Sequence, residues 1–212
     1  QPSRAVMTLL TLTETKHESK VVDYFKKEHK EPEYLKVHPL GQIPAIDDDG
    51  FTLGESEAIM KYIISSRNVG EKYYPSDPKK RALIDRYFPF HHSTTRPGLG
   101  AYFAAYYDDV MGFNITLESA KPKSEDTCKK LEEVFLKYTK YVAGDEITIA
   151  DFLAVNEMTM LYFATDFDFS QFPKIKAYIE RCLENPVLAE LNKPVQGLPD
   201  FFKQLKGQKS QE

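Results

Sequence analysis

Residues 66 to 79 read "RNVGEKYYPSDPKK", a polar and turn-rich stretch, and the apolar pattern differs in kind on its two sides. Upstream, helical periodicities alternate with short β-branched or hairpin runs. Downstream, from Asp77-Pro78 onward, every periodic run is helical. A chain with such a break is neither a plain bundle nor a plain sheet; it calls for an α/β unit followed by an all-α unit. The expected organisation is a first domain over residues 1–68, a linker over 69–78 and a helical domain over 79–212. The 212 residues are enough to give both halves a core.

The first unit opens "QPSRAV". Pro2 suits the first position of a helix, where a fixed φ and a missing N–H cost nothing. Ala5, Val6, Leu9 and Leu10 follow at helical spacing. Gln1 falls where Ser, Thr, Asp or Asn is the usual cap. "KVVDY" (Lys20 to Tyr24) is β-branched and predicts a strand. "IPAI" (Ile43 to Ile46) and "FTL" (Phe51 to Leu53) flank "DDDG", whose Asp49-Gly50 pair signals a hairpin. "SEAIMKYIISS" predicts a helix with Ala58, Ile59, Tyr62 and Ile63 on its apolar stripe. A helix that joins parallel strands needs a strand on each side, and the opening helix has only the one after it. A strand and its loop are therefore expected ahead of Gln1.

In the second unit a long helix is expected from Ala82 and Leu83 to about Tyr107, kinked or broken by Pro89 and Pro97. Another carries Leu131, Val134, Phe135, Tyr138 and Val142. "ITIADF" holds a capping box, Thr148 at the N-cap and Asp151 at N3, with Ile147 and Phe152 placed as a hydrophobic staple. A further helix uses Phe172, Ile175, Ile179 and Leu183 and stops before Pro186. The tail "KGQKSQE" is expected to fray.

Bulk properties narrow the function. Net charge is −4 with the two signs mixed along the chain, which argues against a nucleic-acid partner. No apolar run approaches the roughly 20 residues that span a bilayer, so no membrane partner is expected. Cys128 and Cys182 lie far apart and outside any CxxC, which fits idle thiols in a reducing, cytoplasmic setting. No metal is expected. His91 and His92 are adjacent on a helix and point about 100° apart, so they cannot chelate one ion together. "DDDG" lacks the spaced ligands of a calcium loop. The thirteen tyrosines come with no basic stripe, so base stacking is not indicated.

Two stretches bear on chemistry, "GQIPAI" and "GESEAI". Pro44 cannot give a ladder hydrogen bond, which leaves the backbone of Ile43 free for another peptide to pair with in strand fashion. Glu55 and Ser56 sit at a helix N-terminus, where free N–H groups and the dipole favour an anion, while a carboxylate holds an ammonium. Together they suit an α-amino acid. The plainer reading of the pair is a cap and a first-turn acid.

Taken in order, "QPSRAV … VVDYFKKEH … HPLGQIPAI … FTLGESEAI … YYPSD … ITIADF" resembles a cytosolic glutathione transferase, nearest the theta class, over nearly the whole chain. The resemblance implies a thioredoxin-like N-terminal domain lacking its first strand, then an all-helical C-terminal domain. It implies glutathione as co-substrate, a small, partly apolar electrophile and a homodimer. Pro44 matches the family's cis-proline, and Ile43 would pair with the cysteinyl part. Glu55 and Ser56 match residues holding the γ-glutamyl end. His29 and Gln42 match positions near the glycyl carboxylate. Arg96 matches an arginine over the active site, and Tyr102, Phe103 and Tyr106 are expected along the electrophile wall. The serine that activates the thiol would stand just ahead of Gln1, outside this chain; Ser3 is not given that role. Dehalogenation and peroxide reduction belong to the same class. The alternative is a non-catalytic relative serving as a binding or assembly module.

Overall fold

The computed structural model describes residues 1–209. Helix α1 (Pro2–Leu12) starts on Pro2, with Gln1 at the N-cap position and no side-chain cap. Its buried stripe, Ala5, Val6, Leu9 and Leu10, packs on α3 (Ser56–Arg67), α8 (Ile149–Ala164) and α10 (Pro186–Gln196). The next regular elements are a 3-10 turn at Glu28–Lys30 and α2 (Pro32–Val37). The strand expected at Lys20 to Tyr24 does not form; Val21 is 88% exposed. A strand exists only as half of a hydrogen-bonded pair, and among the described residues no extended segment runs beside this one.

The hairpin forms as expected. Strand β1 (Ala45–Asp48) runs antiparallel to β2 (Phe51–Gly54), with Ala45 opposite Gly54 and Asp48 opposite Phe51. Asp49 and Gly50 both take positive φ, 52° and 91°, the combination of a type I′ turn. The ladder begins at Ala45, two residues later than the sequence suggests. Helix α3 buries Ile59, Met60, Ile63 and Ile64, so its stripe is rotated by about one residue from the expected one. Tyr62 turns outward instead, packing on Phe51 with ring centroids 4.9 Å apart and donating to Asp48 Oδ2 at 2.6 Å.

Beyond Asp77 the described chain is helical apart from its connections. Asp77 caps α4 (Pro78–Phe90) by accepting from Lys80 N at 2.8 Å, with Pro78 in the first turn. The expected break near Pro89 and Pro97 is a π turn at His91–Thr95 leading into α5 (Arg96–Tyr106), which absorbs the hydrogen bond Pro97 cannot give. After α6 (Asp108–Met111) comes α7 (Leu117–Lys130), ending in a second π turn at Leu131–Phe135. The helix expected through Tyr138 and Val142 stops there. Thr139 Oγ1 bonds both Phe135 O and Tyr141 O at 2.8 Å, folding the chain back, and Tyr138 is left 85% exposed.

Helix α8 is the hub, buried around most of its circumference. Its capping box is present. Asp151 accepts from Val142 N (2.9 Å), Thr148 N (2.8 Å), Thr148 Oγ1 (3.0 Å) and Tyr178 Oη (3.0 Å). Burial pushes its carboxyl up to about 6 against the pull of those four donors. Helices α9 (Pro173–Leu183), α10 and α11 (Leu198–Lys209) complete the domain. Lys206 to Lys209 of the expected frayed tail are helical; Ser210 to Glu212 lie outside the described residues. No described helix is long and apolar enough to cross a membrane.

Two polar joints tie the halves together. Arg4 on α1 donates to Asn192 Oδ1 at 2.9 Å and to Asn156 O at 2.8 Å, and Asn192 Nδ2 donates to Asn156 Oδ1 at 3.1 Å. Lys61 on α3 lies between Glu57 (2.7 Å) and Asp85 of α4 (2.8 Å), with its ammonium 4.6 Å from the Phe88 ring centre.

The approach of α5 to α7 depends on Gly98. A Cβ there would stand 2.0 Å from Thr127 Oγ1 on α7, and Ser124 Oγ donates to Gly98 O at 2.6 Å. Gly98→Ala is expected to lower unfolding free energy by about 1–3 kcal/mol, the range for overpacking, although alanine is the better helix former. Urea unfolding midpoints check this; an unchanged or raised midpoint contradicts it.

Candidate functional site

A cleft of about 730 Å³ opens between the two halves. Gln1, Pro2 and Ser3 at the start of α1 form one side, and His92 and Arg96 at the π turn and the start of α5 form another. Tyr24, His29 and Lys30 line it from the segment before α2, and His38 with Gly41 to Pro44 from the loop after α2. Glu55 and Ser56 close it at the head of α3. The six residues expected near glutathione, His29, Gln42, Ile43, Pro44, Glu55 and Ser56, therefore share one cavity.

Local chemistry explains each placement. The Ile43–Pro44 peptide bond is cis. The ladder starts only at Ala45, so among the described residues the main chain of Ile43 has no hydrogen-bond partner. The loop leading to it is pinned on both sides. Tyr34 donates to Gln42 O at 2.6 Å, and Lys30 Nζ donates to Leu40 O at 3.1 Å and Gly41 O at 3.0 Å. Gly41 is required there, with φ +57° and a Cβ position only 2.5 Å from His29 O. His29 is buried, and its ring stacks on Tyr24 at 4.5 Å between centroids and 3° between planes.

At the head of α3, Glu55 adopts φ 62°, ψ 107°, a region that costs a non-glycine residue of order 1–3 kcal/mol. Glu55 occupies the N-cap position but makes no capping hydrogen bond, and Ser56 is the first helical residue rather than the cap. The plainer reading of this pair, a cap and its neighbour, is thus not what the geometry shows. The first turn of α3 has no side-chain cap and its head lines the cleft, an arrangement suited to an anion. Cationic or proton-accepting groups outnumber carboxylates along the walls: Lys30, His29, His38, His92 and Arg96 against Glu55.

Of the four residues expected along the electrophile wall, Tyr102, Phe103 and Tyr106 are not among the residues that line the cleft. Arg96 lines the cleft. Phe103 lies on the same face of α5 about two turns further on, and packs on Phe202 of α11 at 5.9 Å. Tyr102 donates to Asp166 Oδ1 at 2.8 Å, packs edge-on against Phe167 at 4.9 Å and stacks with Tyr106 at 6.4 Å; Asp166 and Phe167 in turn line a separate hollow of about 450 Å³. Burial pushes the Tyr102 phenol up to about 12.

An aromatic arc instead returns to the cleft. From Phe103 it passes to Phe202 and then to Phe201, at 5.5 Å. Phe201 meets Phe25 at 5.7 Å, and Phe25 meets Tyr24, the stacking partner of His29, at 6.4 Å. Tyr24, Lys30 and His38 line the cleft with no local sequence signature, because tertiary contact brings each of them there. Deeper in, His91 Nε2 stands 4.0 Å from Glu157 Oε2. Burial drives His91 down to about 3, with His92 and Arg96 adding to the effect, and drives Glu157 upward. Burial thus works against both charges of this pair.

Residues 1–65 match the family model for the glutathione S-transferase N-terminal domain, and residues 99–186 match that for the C-terminal domain. Human glutathione S-transferase theta-1 is 30% identical over 163 residues, which cover 74% of this chain and 68% of the relative. Glutathione S-transferase 1 of Manduca sexta is 30% identical over 196 residues, covering 91% of this chain and 88% of that protein. The epsilon-class glutathione S-transferase of the housefly, Musca domestica, superposes with a TM-score of 0.85 at 32% identity, over 96% of this chain and 93% of that one. The fold is accordingly a thioredoxin-like domain with a small antiparallel sheet, followed by a helical domain. The chain belongs to the glutathione S-transferase family and is theta-like within it.

Proposed function

We propose that the cleft holds glutathione along the Ile43 main chain and presents its thiol to a small apolar electrophile. The observation that carries this reading is the meeting, in one cavity, of an unpaired strand edge at Ile43 with an open helix start at Ser56. The cysteinyl part adds to Ile43 as a strand would. The γ-glutamyl carboxylate takes the free N–H groups and hydroxyl at Ser56, and its ammonium takes the Glu55 carboxylate. The glycyl carboxylate lies toward His29 and Gln42.

A free thiol has a pKa near 8.5, so at neutral pH only about 3% is thiolate. One hydrogen bond to the anion contributes about 1.5–3 kcal/mol, equivalent to about one to two pKa units. In the family pattern that donor is a serine hydroxyl bonded directly ahead of Gln1. Gln1 and Pro2 line the cleft, which supports a donor at that place. The positive field of Arg96 acts in the same direction. The thiolate then attacks the electrophilic carbon, forming an S–C bond as the leaving group departs with its electron pair.

The electrophile is proposed to lie between Arg96 and the arc of Phe103, Phe202, Phe201 and Phe25, in place of the Tyr102 and Tyr106 face. Dehalogenation and peroxide reduction start from the same thiolate. A homodimer, a cytoplasmic location and a role in detoxification complete the proposal, on the family resemblance.

Two outcomes test it. Ser56→Ala and Glu55→Gln should each weaken glutathione binding about 10-fold or more, as expected for a hydrogen bond to a charged group; unchanged calorimetric affinity in both contradicts the assignment. Phe201→Ala should raise KM for bulky aromatic electrophiles several-fold while leaving KM for glutathione within about 2-fold, because it removes apolar contact from one substrate only. A shift in the glutathione KM alone would place Phe201 outside the electrophile site.

A further inference from the structure

His38 is an anomaly within the cleft. It lines the cavity, is only 5% exposed, and neither ring nitrogen has a hydrogen-bond partner among the described residues. A buried imidazole has one donor and one acceptor to satisfy, and leaving them unmade is costly. Its ring is pressed against the turn that carries Glu55. A Cβ on Gly54 would fall 2.3 Å from His38 Nε2 and 2.7 Å from its Cδ2, so the chain keeps a glycine there and the imidazole occupies that space. Gly54 leads directly into Glu55 and the open start of α3. The main chain of His38 is engaged by Gly41, whose N–H donates to His38 O at 2.7 Å. The residue is thus held in place by its backbone while its ring is left without a partner beside the point where an α-carboxylate would dock.

We propose that His38 is a further binding residue for glutathione, its ring N–H donating to the γ-glutamyl α-carboxylate at the head of α3. The inference rests on the reading that this cleft takes glutathione. It adds a third source of donors to the Ser56 hydroxyl and the α3 backbone, from the loop that leads into β1 at the open end of the hairpin. It also gives Gly54 a reason: a side chain there would displace the donor.

The test compares glutathione with 4-aminobutanoyl-cysteinyl-glycine, which lacks only the γ-glutamyl α-carboxylate. By calorimetry, His38→Phe, which keeps a flat ring without polar atoms, should weaken glutathione about 10–100-fold. Its affinity for the analogue should stay within about 2-fold of the unsubstituted chain. Equal losses for both ligands, or no loss for either, would overturn the proposal, since a residue that only supports the turn affects both alike. A second measurement needs no substitution. The His38 ring nitrogen resonances should move on adding glutathione and stay in place on adding the analogue; signals indifferent to glutathione would also overturn it. If the unsubstituted chain binds no glutathione at all, the reading of the cleft fails instead.

Discussion

Pro44 has no N–H to give, and Ile43 lies just outside a two-stranded ladder that begins at Ala45. Those two facts leave a short strand edge facing the cleft with its donor and acceptor unmade. Exposed edges of this kind recruit another peptide, and here the edge is too short to accept more than one residue of it. The neighbouring contacts serve to hold the edge still. Tyr34 fixes Gln42 on one side, Lys30 ties down Leu40 and Gly41, and the type I′ turn sets the hairpin register on the other. A ligand binding there meets a backbone that is already ordered, so little conformational entropy is lost on association.

The rest of the site depends on how the two halves meet. One wall begins at Gln1 and Pro2 on α1, and the facing wall carries Arg96 on α5; neither half contains a complete cleft. Their spacing is set where α1 lies on α8, with Arg4 bonded to Asn156 and Asn192 in the interior, and where Lys61 bridges α3 to α4. Arg4 is half-buried, and burial lowers its pKa to about 10, still well above neutral pH. Taking it away would leave the Asn156–Asn192 pair short of a partner at the hub helix, so the joint is held by satisfied polar groups as well as by apolar packing.

What could be read from the sequence was whatever depends on near neighbours. The capping box at Thr148 and Asp151, the Asp49-Gly50 turn, the Asp77-Pro78 helix start and the loop at Ile43-Pro44 are each complete within a few residues. The features that escaped need information from elsewhere in the chain. Lys20 to Tyr24 has strand-like residues but no neighbour to pair with. Leu131 to Val142 keeps a helical period past the point where Thr139 ends the helix. The aromatic run on α5 could be placed on a helix but not given its partners, because these are set by packing: Tyr102 is buried against Phe167 and bonded to Asp166, while Phe103 packs on Phe202. His38 gave no sign at all, since a histidine before a proline suggests an extended backbone and says nothing about burial.

The central claim, that the Ile43 main chain receives a peptide ligand as an added strand, can be measured at a single atom. Amide hydrogen exchange at Ile43 reports whether its N–H becomes bonded. On saturation with glutathione, exchange at Ile43 should slow by about 10-fold or more, as for an amide that gains a hydrogen bond and loses solvent. Exchange at Ile43 that is unchanged while glutathione is demonstrably bound would contradict the account and locate the ligand elsewhere.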